Sequence, residues 1–152
     1  MSSQYTFTGE FSFSIDSKKR INIPSSLRKQ FLKNDNKTFV ITRGIDECAW
    51  IYPMNEWKKI QIELNNLSSM SKKNRIFLRN HLRHANILKY DSQGRFVLPN
   101  SLIDYTKISK DVTIIGVLNK IEIWNPKILR KSDEKDQIDD PSYEQLSERV
   151  NI

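Results

Sequence analysis

The sequence predicts a mixed α+β fold, mainly β, made of two related halves with helices between them. Three observations carry that expectation. The stretch "DSKKRINIP" at residues 16–24 returns as "DSQGRFVLP" at 91–99, 75 residues further on (91 − 16). Apolar residues on either side of each copy alternate with polar ones at period two, the mark of half-buried strands. The segment between the copies changes to a helical period. The shared letters Asp-Ser-x-x-Arg-x-x-x-Pro-x-Ser-Leu at 16–27 and 91–102 are too dense for chance in 152 residues, so a pseudo-twofold relation between the halves is expected.

In chain order, "YTFTGEFSFSID" places Tyr5, Phe7, Phe11, Phe13 and Ile15 on one parity, interrupted at Gly9-Glu10, which predicts a strand or hairpin. After Pro24, Ser25 or Ser26 can cap a short helix whose Leu27 and Phe31 stand at i, i+4. "TFVITRGIDECAWIYP" reads as a hairpin turning at Gly44-Ile45-Asp46 and ending at Pro53. The second half repeats the order: strand, turn and strand in "ILKYDSQGRFVLP", a capped helical turn in "NSLIDYTKI", and a hairpin in "DVTIIGVLNKIEIWNP" with Gly116 in the place of Gly44 and Trp124 in that of Tyr52.

Two helices separate the copies. Trp57, Ile60, Leu64 and Leu67 form an apolar stripe on the first. On the second, Ser71 can cap, Leu78, Leu82 and Ala85 form the apolar side, and Lys72, Arg75, Arg79 and Arg83 share a face. Beyond Pro126 the sequence is polar and charge-dense, so a mobile or loosely helical tail is expected. The expected divisions are a half-domain at 8–55, a helical linker at 56–83, a second half-domain at 84–127 and a charged flexible tail at 128–152.

Composition narrows the function. Residues 1–125 carry 20 Lys and Arg against 11 Asp and Glu, and residues 126–152 carry 5 against 7, so the expected folded part is more basic than the formal +7 of the whole chain. Such an excess favours a polyanion, most often nucleic acid. No apolar run approaches the roughly 20 residues of a membrane helix, and the start has no signal-peptide pattern, so a cytoplasmic location without membrane attachment is expected. Cys48 is the only cysteine and is expected as a buried, inert thiol. His81 and His84 beside it are too few for zinc and are expected exposed or packed on a partner; no metal or other cofactor is expected. Trp50, Trp57 and Trp124 read as core or interface aromatics.

The repeated stretch has its own chemistry. An Asp that ends a strand can accept hydrogen bonds from backbone N–H groups two or three residues on, and Gly94 is free to adopt positive φ. The arginine after the turn then sits at a loop tip, where Asp16 can pair with Arg20 and Asp91 with Arg95 to orient the guanidinium. Stapling of the turn and presentation of the arginine both remain open at this level; duplication favours the second by putting two arginine-tipped loops on one surface. An acid-protease pair is excluded, because Lys18 and Gln93 stand where a small residue is needed and Lys18, Lys19 and Arg20 would hold the carboxylates ionised. No phosphate-cradling loop, dinucleotide glycine fingerprint or cysteine with a base is present, so no enzyme or small-molecule substrate is expected.

These motifs together, with "FVITRGIDEC…IYP", "KKNRIFLRNHLRHA" and the closing "KIEIW", resemble the MraZ family of bacterial transcriptional regulators over about residues 7–125. The resemblance implies tandem half-domains of the SpoVT/AbrB swapped-hairpin type, folded as one pseudo-twofold β-barrel with helices between the halves. It implies a nucleoid-associated ring of several protomers that binds short direct repeats in double-stranded DNA upstream of the division and cell-wall gene cluster, usually to repress it. The family's Asp-x-x-x-Arg motifs fall on Asp16 with Arg20 and on Asp91 with Arg95. The arginines are the implied DNA contacts; Asp16, Asp91 and Gly94 set the loops, since a bare carboxylate near phosphate is repelled.

One departure stands out. Lys19 occupies the place of the motif glycine that Gly94 keeps, and positive φ strains a lysine by about 1 kcal/mol, so a different first turn is expected. That either weakens base readout there or adds a phosphate contact through Lys18 and Lys19. For the face of Lys72, Arg75, Arg79 and Arg83 three uses stay open: a solvated surface, a contact with acidic groups of a neighbouring subunit, or a second DNA contact. Two further functions compete with the regulator: an AbrB-like antitoxin whose tail folds on a toxin, and a basic oligomeric scaffold.

Overall fold

The computed structural model describes residues 4–150 and 152. In chain order the elements are β1 (Phe7–Ser14), β2 (Arg20–Asn22), α1 (Ser25–Arg28), β3 (Thr38–Arg43), β4 (Ala49–Pro53), α2 (Met54–Asn65), α3 (Lys72–Arg83), β5 (Asn86–Lys89), β6 (Arg95–Val97), α4 (Asn100–Thr106), β7 (Asp111–Leu118), β8 (Lys120–Trp124), α5 (Pro126–Lys135) and α6 (Asp140–Arg149). The mixed α+β class holds.

The strands form an antiparallel six-stranded sheet in the order β1-β7-β8-β4-β3-β5 and a two-stranded ribbon of β2 and β6. Exchanging the halves turns the sheet order into its own reverse. Each half therefore gives its first strand to the other: β1 pairs with β7, and β5 pairs with β3. The approximate twofold passes between Ile21 and Phe96 in the ribbon, because Arg20 faces Val97 and Asn22 faces Arg95. In the sheet it passes between Trp50 and Glu122, whose side chains hydrogen-bond at 3.2 Å from Nε1 to Oε2. The ladder is not continuous around a barrel; the ribbon covers the open side. Neither half can bury its core alone, which is why the two halves share one interlocked core.

That core collects Phe7, Ile21, Ile23, Leu27, Phe39, Ile51, Leu98, Leu102, Ile114 and Ile123 from both halves. Phe39 meets Phe96 edge-on with centroids 5.1 Å apart, tying the first sheet hairpin to the ribbon of the second half. Asp35 is buried beneath α2, where it accepts hydrogen bonds from Tyr5 Oη at 2.6 Å, Asn55 N at 2.8 Å and Leu32 N at 2.8 Å. The satisfied carboxylate pins the chain start and α2 to one turn.

Several local expectations change. The segment around Gly9 is one strand, because Gly9, at φ 108°, faces Gly116 on β7 and the missing side chains let the two strands approach. A Cβ on Gly116 would lie 2.4 Å from Thr8 N. Gly116 thus sits inside β7 and does not take the place of Gly44; the β7–β8 hairpin turns after Leu118, at φ 59°. Ser25, Ser26 and the start of α4 supply no side-chain cap: Pro24 and Pro99 occupy the N-cap positions, so the serines lie already inside the first turn. Ser71 does cap α3, accepting from Asn74 N.

On α2, Trp57 is buried and Ile60 and Leu64 pack beside it against Val40 and Tyr52, while Leu67 lies past the helix end and is exposed. On α3 the buried residue is His81, not Leu82, which is 44% exposed. His81 is neither exposed nor awaiting a partner: it stacks on Phe77 and lies against the rings of Trp50 and Trp57. An imidazole carries enough apolar surface to fill an aromatic cage once it is neutral, and burial does hold its pKa below the usual histidine range. Cys48 is fully buried, and burial pushes its thiol pKa up, which keeps it unreactive. No helix among the described residues is long and apolar enough to cross a membrane.

Candidate nucleic-acid interface

The two Asp-Ser loops fold to the same geometry. In the first, Asp16 Oδ1 accepts from Lys18 N at 2.9 Å and Arg20 N at 2.8 Å, and Asp16 Oδ2 accepts from Arg20 Nε at 2.7 Å. In the second, Asp91 Oδ1 accepts from Gln93 N at 2.9 Å and Arg95 N at 2.9 Å, and Asp91 Oδ2 accepts from Arg95 Nε at 3.1 Å. Each carboxylate thus closes its own turn with one oxygen and aims its own arginine with the other. Hydrogen bonds from the arginine's backbone N–H come first among the causes that hold both carboxyl pKa values below the usual range.

The first turn is not different. Lys19 takes φ 63°, in the left-handed region, where Gly94 takes 83°. Partner strands hold both in place: Leu98 N donates to Lys19 O at 2.8 Å and Ile23 N donates to Gly94 O at 2.8 Å, a pair related by the twofold. The ribbon's cross-links therefore fix the backbone, and the lysine accepts the strain.

Side-chain parity then sets the surface. Ile21 and Phe96 point into the core, so Arg20, Asn22, Arg95 and Val97 all project from the outer face of the ribbon. The two arginines stand diagonally across it, ~8 Å apart at Cα from strand rise and spacing. Their side chains are 29% and 31% exposed, and among the described residues no protein acceptor faces Nη1 or Nη2 of either. Two forks tied down at Nε and open at the Nη end are suited to a planar acceptor pair, such as guanine O6 and N7 or phosphate oxygens. Lys18 and Lys19 are exposed beside the first fork.

Sequence reasoning missed three contributors. Asn22 shares the arginine face and donates from Nδ2 to Gln93 O at 2.9 Å, joining β2 to the second loop; Val97, 56% exposed, lies opposite Arg20. Only the pairing register could have shown them. Arg28 belongs to the first half but packs on the second loop: its Nε donates to Ile23 O at 2.8 Å and would lie 2.3 Å from a Cβ on Gly94.

The structure places Lys72, Arg75, Arg79 and Arg83 on the exposed side of α3, on a different element from the ribbon. Arg75 is partly committed, since its Nη1 donates to the carbonyls of Ser69 at 2.8 Å and Met70 at 3.1 Å and closes the loop before the helix. No group of three or more potential metal ligands occurs among the described residues.

Comparison with known proteins agrees with this architecture. The family model described as "MraZ protein, putative antitoxin-like" matches twice, at residues 6–80 and 81–151. A "Transcriptional regulator MraZ" of Natranaerobius thermophilus is 42% identical over 144 residues, covering 95% of this chain and 96% of the relative. A protein of the same name from Clostridium tetani is 37% identical over 145 residues, with the same coverage. One from Pediococcus pentosaceus is 41% identical over 119 residues, covering 78% of this chain and 80% of the relative. A tandem match over two halves that exchange their first strands, with relatives aligned nearly end to end, places this chain in the MraZ family.

Proposed function

We propose that this chain is a sequence-specific regulator of transcription that reads double-stranded DNA with the outer face of the β2–β6 ribbon. The observation that carries this reading is the pair of arginine forks on one face, each fixed at Nε by an aspartate and open at Nη. The major groove, about 12 Å wide, admits a two-stranded ribbon. Arg20 and Arg95 contact guanine edges there, Lys18 and Lys19 neutralise phosphates, and Asp16, Asp91 and Gly94 hold the loops in shape. Catalysis plays no part.

The targets in this reading are short direct repeats upstream of the division and cell-wall gene cluster, and the outcome is repression on the nucleoid. A ring of several protomers presents the ribbon repeatedly, so that individually weak contacts to consecutive repeats combine through effective concentration. Residues 8–55 and 84–127 act as the two half-domains, 56–83 as their linker and 128–152 as an appendage. The resemblance to the family supports these finer points.

The test is a fluorescence-anisotropy titration against the DNA upstream of the chain's own gene and a shuffled control, across a range of salt. Preference for the native fragment that disappears in Arg20→Ala and Arg95→Ala is expected. Equal, salt-erased binding to both fragments would sink the reading and leave a basic oligomer without a specific site.

A further inference from the structure

We propose that Asn22 and Val97 make the two ends of the ribbon select different bases: Val97 seats a thymine methyl beside the guanine taken by Arg20, and Asn22 takes an adenine beside the guanine taken by Arg95. The inference rests on the DNA-reading function proposed above and names the bases that the same face selects.

The twofold that carries Arg20 onto Arg95 carries Asn22 onto Val97, since Arg20 faces Val97 and Asn22 faces Arg95. Directly opposed residues of an antiparallel pair stand ~5 Å apart at Cα, and bases along a strand rise ~3.4 Å per step. Each arginine fork therefore has its companion side chain within one or two base steps. The forks are the same at both ends and the companions are not. Lys18 and Lys19 also differ from Gln93 and Gly94, but a lysine on a phosphate conveys no sequence information. A difference between the two ends at base edges has to come from Asn22 and Val97.

Asn22 is an amide of fixed orientation. Its Nδ2 donates to Gln93 O at 2.9 Å, and because a carbonyl can only accept, the nitrogen has to face it. One Nδ2 hydrogen is thereby committed. Oδ1 and the second Nδ2 hydrogen have no partner among the described residues. An acceptor next to a donor complements adenine N6 and N7, whereas guanine presents two acceptors at that edge and cytosine a single donor. Held by the second loop, the side chain also has less rotamer freedom to lose when it meets a base.

Val97 has no donor to make the equivalent bond to the first loop, and it is 56% exposed although Arg20 stands across from it. An exposed valine alone is an ordinary strand residue. Here it is the apolar member of the outer face it shares with Arg20, Asn22 and Arg95. The apolar group that the major groove offers such a side chain is the thymine methyl. With unlike companions at its two ends, the ribbon fits its site in one direction only.

Anisotropy titrations of the full chain test this on the upstream fragment synthesised in three forms: natural, with every thymine replaced by uracil, and with every adenine replaced by 7-deazaadenine. Both replacements keep base pairing; the first removes the methyl and the second removes N7. The unmodified protein is expected to bind the uracil form about 4-fold more weakly, the contribution of one buried methyl group. It is expected to bind the 7-deaza form about 5-fold more weakly, the contribution of one hydrogen bond. Val97→Ala is expected to bind the natural and uracil forms alike and to keep the 7-deaza loss. Asn22→Ala is expected to do the opposite. Ratios between DNA forms are compared, so a general weakening caused by freeing the second loop does not enter. Indifference of the unmodified protein to an analogue overturns the assignment at that end, and losses that persist unchanged in both variants belong to altered DNA shape and overturn it at both. A chain that prefers its native fragment through Arg20 and Arg95 yet ignores both analogues keeps the DNA-reading function and loses these base assignments; a chain with no preference over the shuffled control loses both.

Discussion

Loops 16–20 and 91–95 share a backbone and differ in chemistry. Both close on an aspartate, both put one residue in the left-handed region, and both give that residue's carbonyl to the opposite strand. Yet the first carries Lys18 and Lys19 where the second carries Gln93 and Gly94. The second is not left without extra charge, because Arg28 crosses from the other half to lie against Gly94. The twofold-related position beside the first loop is Ile103, which sits on α4 as Arg28 sits at the end of α1. The glycine is thus tied to a neighbour's arginine, and the lysine is admissible where that neighbour is an isoleucine. Duplication fixed the geometry twice and left each copy free to place its cations differently.

The largest effect should come from the forks themselves. Arg20→Ala and Arg95→Ala are each expected to weaken binding to the upstream DNA by about 1–3 kcal/mol, roughly 5- to 150-fold, with much less change on the shuffled fragment. Anisotropy at fixed salt reads this. Equivalent losses mean that both loops read bases. A loss confined to Arg95 would mean that the lysine-bearing loop only holds phosphate, and the comparison would then be one of function as well as charge.

Next come the residues at positive φ. Gly94→Ala places a Cβ against Arg28 and asks alanine to hold φ 83°, so it is expected to cost about 2 kcal/mol: about one for the backbone and about one for the Arg28 to Ile23 hydrogen bond that must give way. Lys19→Gly runs the other way and is expected to stabilise by up to about 1 kcal/mol, since it relieves the same backbone strain. Urea melts compare the two. Equal effects of one sign would break the assignment of the asymmetry to Arg28 and Ile103.

Smaller again is the charge difference. Lys18→Gln with Lys19→Gln is expected to flatten the plot of log affinity against log salt by about 2 in slope, and Gln93→Lys to steepen it by about 1. Affinity over a salt series checks both, and no change in slope would remove the lysines from the interface.

The duplicated letters made the pseudo-twofold, the loops and their aspartate–arginine pairs legible, because all are local in sequence. What stayed hidden was set between the halves. Ser25 and Ser26 looked like caps until the proline ahead of them took that position. Gly116 looked like a turn residue, but it admits β1, a strand given by the other half. Asn22 and Val97 join the arginine face only through the ribbon register, and Arg28 reaches the second loop only because the core is interlocked. Lys19 misled in the opposite sense: propensity argued for another turn, and cross-strand hydrogen bonds overrode a cost of about 1 kcal/mol.

Acid should leave the two loops alike while separating both from α3. Asp16 and Asp91 have carboxyl pKa values lowered in the fold, first by the arginine backbone hydrogen bonds, so what they contribute is present above the unfolded value of about 3.9 and is lost only as pH falls through the depressed folded value. His81 is lowered too, but by burial, so its contribution is present above about 6.5 and drains away below that, toward its own depressed value, as the unfolded chain takes up a proton that the aromatic cage resists. His84 shifts in the same direction through partial desolvation and the charges of Arg43 and Arg83. Stability from urea melts should therefore fall between pH 7 and 5 while the aspartate carboxyl signals stay in their ionised positions. His81→Phe, which keeps the stacking and removes the proton site, is expected to shrink that fall. An unchanged slope would place the acid sensitivity at His84, and aspartate signals that titrate in the same window would mean the loops are held by something other than the hydrogen bonds to their carboxylates.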